Sequence, residues 1–245
     1  MLLANCKIAP KKENTIGLTT QKAMVVSARI EASNIGTAIL KKGGNAFDAM
    51  MATELALAVA YPYAGNIGGG GFMVYRKSNG EIGALDYREK APLAATRDMY
   101  LDNDGNIIKG KSTVGASAVG VPGTIAGVFK AQEKLGLLSV KEILSPVIEL
   151  AKKGVVVTKK QEDRINKFKK AFETVNRQKI LFHRDWKEGD VIKYSALANT
   201  LERISEYGRD EFYKGKTAKI LAKFIQDNGG IITEKDLAKY EAKWR

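Results

Sequence analysis

At 245 residues, 44% of them hydrophobic and with charge dispersed along its length, the chain is long enough to bury a core as one large domain or two small ones, which excludes disorder on composition. A single cysteine, Cys6, excludes an internal disulfide framework and any multi-cysteine metal site, and a single histidine, His183, excludes a His-rich metal site within one chain. The 40 basic against 27 acidic residues leave a formal charge of +13, which raises nucleic acid or an anionic membrane as partners to be weighed.

Residues 1–22 read as a leader or disordered N-terminus. "MLLANCKIAPKK" lacks the basic leader and long apolar segment of a complete signal peptide. It reads equally as the tail of a secretory or lipoprotein-like segment and as an ordinary disordered start. "AMVVSA" (23–28) predicts a short buried strand, and "EASNIGTAILKKGG" a helix ended by Gly43-Gly44, where glycine takes the left-handed C′ conformation. "NAFD" then opens a second helix with Asn45 as N-cap and Asp48 at the positive end of the dipole. That helix, "AFDAMMATELALAVA" (46–60), falls short of the roughly 20 apolar residues a bilayer requires. It carries Asp48 and Glu54, is apolar almost all round, and is expected to be packed on several sides before stopping at Pro62.

"FMVYRK" and "EIGALDYRE" predict two strands joined by a hairpin at "SNG". Ile82, Ala84, Asp86 and Arg88 then share one face, and Gly83, Leu85 and Tyr87 the other. "AVGVPGTIAGVFKAQEKLG" reads as a Gly/Pro-marked loop feeding a helix, and "SVKEILSPVIELAKKG" as an amphipathic helix capped by Ser139 and interrupted by Pro146. From residue 155 the chain is expected to be mostly helical, ending with "GKTAKILAKFIQDNGG" and "TEKDLAKYEAKWR". Basic residues are densest between Lys152 and Arg184. No nucleic-acid motif or aromatic stacking platform accompanies them, so a solvated lysine-rich helix is expected there and no nucleic-acid partner. Neither an internal repeat nor an interdomain linker is visible.

Four motifs invite chemistry. The glycines of "GNIGGGGF" (65–72) precede a strand rather than a helix and lack Gly-Lys-Ser/Thr, so they form neither a phosphate loop nor a dinucleotide fingerprint. Two readings remain equal, close approach of backbone to a ligand and tight packing of backbone on backbone. "DNDGN" (102–106) misplaces its glycine for a calcium loop and has Thr113 where the bidentate Glu belongs, so it reads as a surface turn. Cys6 and His183 lie far apart in unremarkable contexts and are not expected to act as nucleophile and base. Arg88 is the strongest candidate, because a guanidinium fork matches a carboxylate with two hydrogen bonds. On these residues alone, an ion pair with Asp86 or Glu89 at a sheet edge is the more economical reading.

Several stretches, in order, resemble the gamma-glutamyltranspeptidases, also called glutathione hydrolases. "MVVSARIEASNIGTAILKKGGNAFDAMMATELALAVAYPYAGNIGGGGFMVYR" is similar to the family's N-terminal signature, and "ALDYREKAP" to its LD-x-RE-x-AP element. "AVGVPGTIAG" and "LANTLERISEYGRDEFYKGKTAKILAKFIQDNGGIITEKDLAKY" resemble its next loop and a later helical segment. The resemblance runs over residues 23–245, which it marks as the N-terminal part of the family's large subunit; a cephalosporin-acylase-like branch shares parts of it.

The resemblance implies an α/β fold of the Ntn-hydrolase type, four layers α/β/β/α, incomplete in these residues. It implies a precursor that cuts itself into two subunits, with the small subunit's new N-terminal threonine as nucleophile and that residue's own amine as base. The γ-glutamyl group of glutathione or a related compound passes through a γ-glutamyl-enzyme to water, an amino acid or a peptide. No cofactor or metal is implied. By the resemblance, Arg88 is expected to hold the substrate's α-carboxylate. Arg29, where many relatives carry histidine, and Tyr63 depart from the commoner pattern at positions that are not catalytic. The nucleophile and the rest of both subunits match nothing in these residues, so the chain alone is expected to be inactive and poorly soluble. A non-catalytic glutamyl-binding relic and a basic interaction module are the alternatives. A periplasmic or extracellular location is a further implication.

Overall fold

The helix that organises the molecule is also the most apolar one. In a computed structural model, which describes residues 17–176 and 178–245, α1 (Ile30–Lys41) and α2 (Ala46–Ala60) form a helical pair. Ten of the residues in α2 are buried, and α1, α3 (Thr124–Leu135) and α4 (Val140–Lys153) all pack against it. A helix with no polar stripe has no face to offer water, so its neighbours must enclose it. At its start, Asn45 accepts from the Phe47 and Asp48 amides while Asp48 accepts from Asn45 N–H at 2.9 Å, a reciprocal capping box. The fully buried Asp48 carboxylate also accepts from the Leu137 amide at 3.1 Å, and Asn45 Nδ2 donates to Leu135 O at 2.6 Å. Two polar side chains thereby tie the turn after α3 to the N-terminus of α2.

The hairpin forms as expected. β1 (Phe72–Arg76) pairs antiparallel with β2 (Ile82–Asp86), and Gly80 supplies the positive φ of +89° in the turn. Met73, Leu85 and Tyr87 are buried toward the helices, with Phe47 of α2 edge-on to Tyr75 at 5.4 Å. The opposite face is open: Phe72, Val74 and Ile82 are 65%, 82% and 74% exposed.

Downstream, α5 (Lys159–Val175), α6 (Ser195–Tyr207), α7 (Arg209–Tyr213), α8 (Lys216–Asp227) and α9 (Glu234–Ala238) make the fold a helix-rich mixed α/β one. Their shared core includes Phe212, Tyr213, Tyr240 and Leu201.

Four expectations are corrected. Residues 23–28 form no strand: Met24 and Val26 are 45% and 79% exposed and no described segment pairs with them. Alternating side chains give an extended chain, yet a strand exists only where a neighbour takes its backbone hydrogen bonds. Pro146 does not interrupt α4, which runs unbroken from a Ser139–Glu142 capping box. The proline removes one backbone donor, and burial of Ile143, Leu144, Val147, Ile148 and Ala151 holds the rest. "EAKWR" is not helical: β5 (Lys243–Trp244) joins β2 antiparallel and completes the sheet order β1-β2-β5. Finally, β3 (Val155–Val156) and β4 (Val191–Ile192) form a small second sheet flanking the basic helix, within a region expected to be helical.

Packing of α3 on the sheet leaves no room at Gly127, where an added Cβ would overlap the ring of Tyr87. Gly127→Ala is therefore expected to destabilise the protein by roughly 1–3 kcal/mol, although alanine is the better helix former by about 1 kcal/mol. A thermal melt showing a stabilised variant would overturn this packing.

Candidate functional site

Arg88 sits just past the end of β2, and the backbone around it is held from every side. The Tyr87 amide donates to Gly71 O at 3.0 Å, extending the β1–β2 ladder. Tyr240 Oη donates to Arg88 O at 2.7 Å, and Lys90 and Val121 exchange amide–carbonyl bonds of 3.1 and 2.7 Å. An added Cβ on Gly70 would lie 2.8 Å from Glu89 N, and one on Gly120 would lie 2.9 Å from Glu89 Cβ. At Gly123 it would strike Tyr87 O. The segment Tyr87–Glu89 thus threads between the glycine run and the entry to α3. Gly69 O closes the arrangement by accepting the first amides of that helix, from Gly123 at 2.7 Å and Thr124 at 3.0 Å. Of the two readings of the glycine run, backbone packed on backbone describes Gly70.

The side chain of Arg88, by contrast, is loosely engaged. It is 61% exposed, its Nε lies 3.4 Å from Glu89 Oε2, and its guanidinium carbon is 5.7 Å from the centre of the Phe72 ring. Asp86 takes a different partner, Arg245, at 2.6 Å; that bond and the Arg88 amide hold the Asp86 carboxyl below the usual range. Of the two ion pairs the sequence offered, the one with Glu89 forms, at 3.4 Å, and the one with Asp86 does not. Asp86 is satisfied elsewhere, Glu89 approaches to 3.4 Å at Nε, and the guanidinium of Arg88 makes no hydrogen bond to a carboxylate among the described residues. A fork of two parallel donors on an immobile backbone can grip a planar anion.

Behind this strand end lies a group the sequence had shown only as one of two acidic residues in an apolar helix. Tyr87 Oη donates to Glu54 Oε2 at 3.1 Å, and burial pushes the Glu54 carboxyl up to about 7. The same burial, with the adjacent carboxylate, raises the Tyr87 hydroxyl. Glu54, Asn66, Gly70 and Thr124 line a small cavity of about 310 Å³ beneath the glycine loop. A solitary Glu amid alanines and leucines was the available signal. What it faced depended on the sheet.

The other candidates fall outside this site. Cys6 lies outside the described residues, and His183 occupies a short 3-10 turn (Leu181–His183), with a buried Nε2 that has no partner among the described residues. "DNDGN" is a surface turn in which Asp102 accepts from the Asp104 and Asn106 amides at 3.0 and 2.8 Å. Within the Lys152–Arg184 stretch, Lys152 pairs with Glu202 at 2.7 Å and Lys159 with Asp163 at 3.1 Å, while Lys169 pairs with Asp185.

Comparison with known proteins gives the class to which this helix-backed sheet, with its arginine on a glycine-threaded strand end, belongs. Residues 32–245 match the family described as gamma-glutamyltranspeptidase, and the chain belongs to that family. It is 47% identical over 227 residues to a glutathione hydrolase proenzyme of Pseudomonas sp. (strain A14), covering 91% of this chain and 40% of that one. It superimposes on the gamma-glutamyltranspeptidase of Helicobacter pylori with a TM-score of 0.89 at 42% identity, covering 93% of this chain and 66% of that one. For the Pseudomonas nitroreducens enzyme complexed with L-DON the TM-score is 0.88 at 44% identity, covering 93% and 67%. The chain spans about two-fifths of the length of its curated relatives.

The environment of Glu54 makes stability depend on pH. A carboxyl raised on folding stabilises the fold while protonated; that contribution is complete below about 4.5 and is lost as pH rises through about 7. Glu54→Gln, neutral throughout, should match the parent near pH 4 and exceed it at pH 8 by at most about 3 kcal/mol. Paired denaturant melts at the two pH values decide this, and an unchanging difference between the proteins would refute it.

Proposed function

We infer that the complete protein is a γ-glutamyltransferase and glutathione hydrolase, and that Arg88 holds the α-carboxylate of the γ-glutamyl substrate. The observation that carries this reading is the guanidinium fork, unclaimed by Asp86 and fixed at its root by Gly70, Gly120 and Gly123. In this reading the attacking group is a threonine hydroxyl at the N-terminus of a small subunit, activated by its own amine. It adds to the γ-carbonyl carbon, the amine of the cysteinyl-glycine portion leaves with a proton, and a γ-glutamyl ester remains. Water, an amino acid or a peptide then attacks that ester and regenerates the threonine. Arg88 acts on the far end of the glutamyl group, where a bidentate grip sets the distance and angle of the γ-carbonyl to the nucleophile.

The open face of the β1-β2-β5 sheet supports the four-layer α/β/β/α arrangement. Phe72, Val74 and Ile82 present apolar side chains on which a second sheet, with its own helices, would pack. The rest of the large subunit and the small subunit are the partners this face implies. A periplasmic or extracellular location follows from the family and is tested by cell fractionation.

Arg88→Lys in the protein as its gene encodes it tests the role of the fork. Replacing two aligned donors by a point charge should cost roughly 10–100-fold in kcat/KM on a chromogenic γ-glutamyl anilide, seen chiefly in KM. A KM equal to the parent's would remove Arg88 from the substrate. Residues 1–245 expressed by themselves should release no γ-glutamyl group above background, since a carboxylate grip without a nucleophile does not lower the chemical barrier. They should also be poorly soluble through the open sheet face, and a soluble, cooperatively melting monomer would count against that.

A further inference from the structure

Away from Arg88, the turn after α2 and one side of α5 enclose a second cavity of about 500 Å³. This is within the range of small-molecule sites, which run from roughly 300 to 1,000 Å³. Its walls are aromatic, with Tyr61 and Tyr63 on the turn, Phe168 and Phe172 on α5, and Phe182 and Tyr194 beyond it. Three cations reach it, and they are not equivalent. Arg29 is already neutralised by two hydrogen bonds to Glu31, at 3.0 and 2.5 Å. Lys160 is exposed on α5. Arg164 is half-buried, with its guanidinium carbon 3.3 Å from the centre of the Tyr63 ring and Nη1 3.5 Å from Tyr61 Oη, and has no carboxylate partner among the described residues. Stacking on a tyrosine face holds a guanidinium in place while leaving its in-plane donors available.

A second, independent feature marks the cavity as built for a ligand. Tyr194 lines it and is only 9% exposed, and its hydroxyl is buried with no hydrogen-bond partner among the described residues. A buried hydroxyl left unpaired is costly and is normally matched by some acceptor. Burial pushes this one up to about 12, so at neutral pH it is a donor.

We propose that this aromatic cavity is a binding site for a small aromatic carboxylate, its flat body between the tyrosine and phenylalanine rings, its anionic group on Arg164, and an acceptor atom on the Tyr194 hydroxyl. The aromatic walls favour a planar apolar body over an alkyl chain, and Arg164 favours a planar anion. The site is independent of the γ-glutamyl reading, since neither Arg88 nor the glycine run contributes to it.

The test is calorimetric titration of the protein as its gene encodes it with 6-hydroxy-2-naphthoate, which carries an anion at one end of a flat body and an acceptor at the other. Saturable binding of one molecule per chain is expected, and the neutral carboxamide of the same ring should bind about tenfold more weakly. Arg164→Gln should lose that factor and cease to distinguish the two probes. Tyr194→Phe should weaken the naphthoate by about fivefold while melting at the parent's temperature or above, because it removes only an unpaired hydroxyl. Arg97→Gln, whose side chain is 95% exposed and lies outside the cavity lining, should bind as the parent does. Absence of saturation, equal binding by Arg164→Gln, or loss of binding in Arg97→Gln would each overturn the proposal. So would a destabilised Tyr194→Phe with unchanged affinity, which would show the hydroxyl to be paired within the protein.

Discussion

Three residues of backbone, Tyr87 to Glu89, pass through a gap too narrow for side chains, and most of what surrounds them is arranged to keep that gap open. Glycines stand on both sides, Gly70 from the loop before β1 and Gly120, Gly123 and Gly127 from the approach to α3 and its first turn. The same loop satisfies the helix's first amides through Gly69 O, so the gap and the helix start are one construction. Close packing of this kind transmits position without elasticity. Arg88 projects from it with an exposed side chain on a closely packed root.

The helices behind the sheet serve that same placement. With ten of its residues buried, α2 has little freedom to shift, and Asp48 and Asn45 fasten the α3–α4 turn to its start. Through Glu54 the helix also reaches the hydroxyl of Tyr87, one residue from Arg88. A polar contact in that apolar setting is specific in direction where hydrophobic packing is not.

How much of this was legible in the sequence varied with the range of the interaction responsible. The capped start of α2, the Gly43–Gly44 stop, the hairpin at Gly80 and the alternation that buries Leu85 and Tyr87 are local, and the residues announced them. The fate of the Asp86 carboxylate was not local, because its partner Arg245 arrives 159 positions later. The same holds for β5, read as helix because "EKDLAKYEAKWR" has helical composition while its last residues find a strand edge to join. Residues 23–28 failed in the opposite sense, having strand character without a partner. For the site, Arg88 and the glycine run were visible as types. That the glycines serve the backbone of residues 87–89, and that Glu54 lies behind them, required the tertiary arrangement.

The central strand of the sheet has a consequence for the order in which the protein assembles. β2 meets β1 across the five residues 77–81, a contact that closes early and locally, yet its other edge is completed only by Lys243 and Trp244, with the Arg245 amide on Ala84 O at 2.8 Å. Contacts of such long sequence separation close late, because the intervening chain must first give up its freedom. A nascent chain therefore carries the Arg88 strand as an open edge until residues 243–245 have been made, and the neighbourhood of Arg88 is among the last parts of these residues to take its final form.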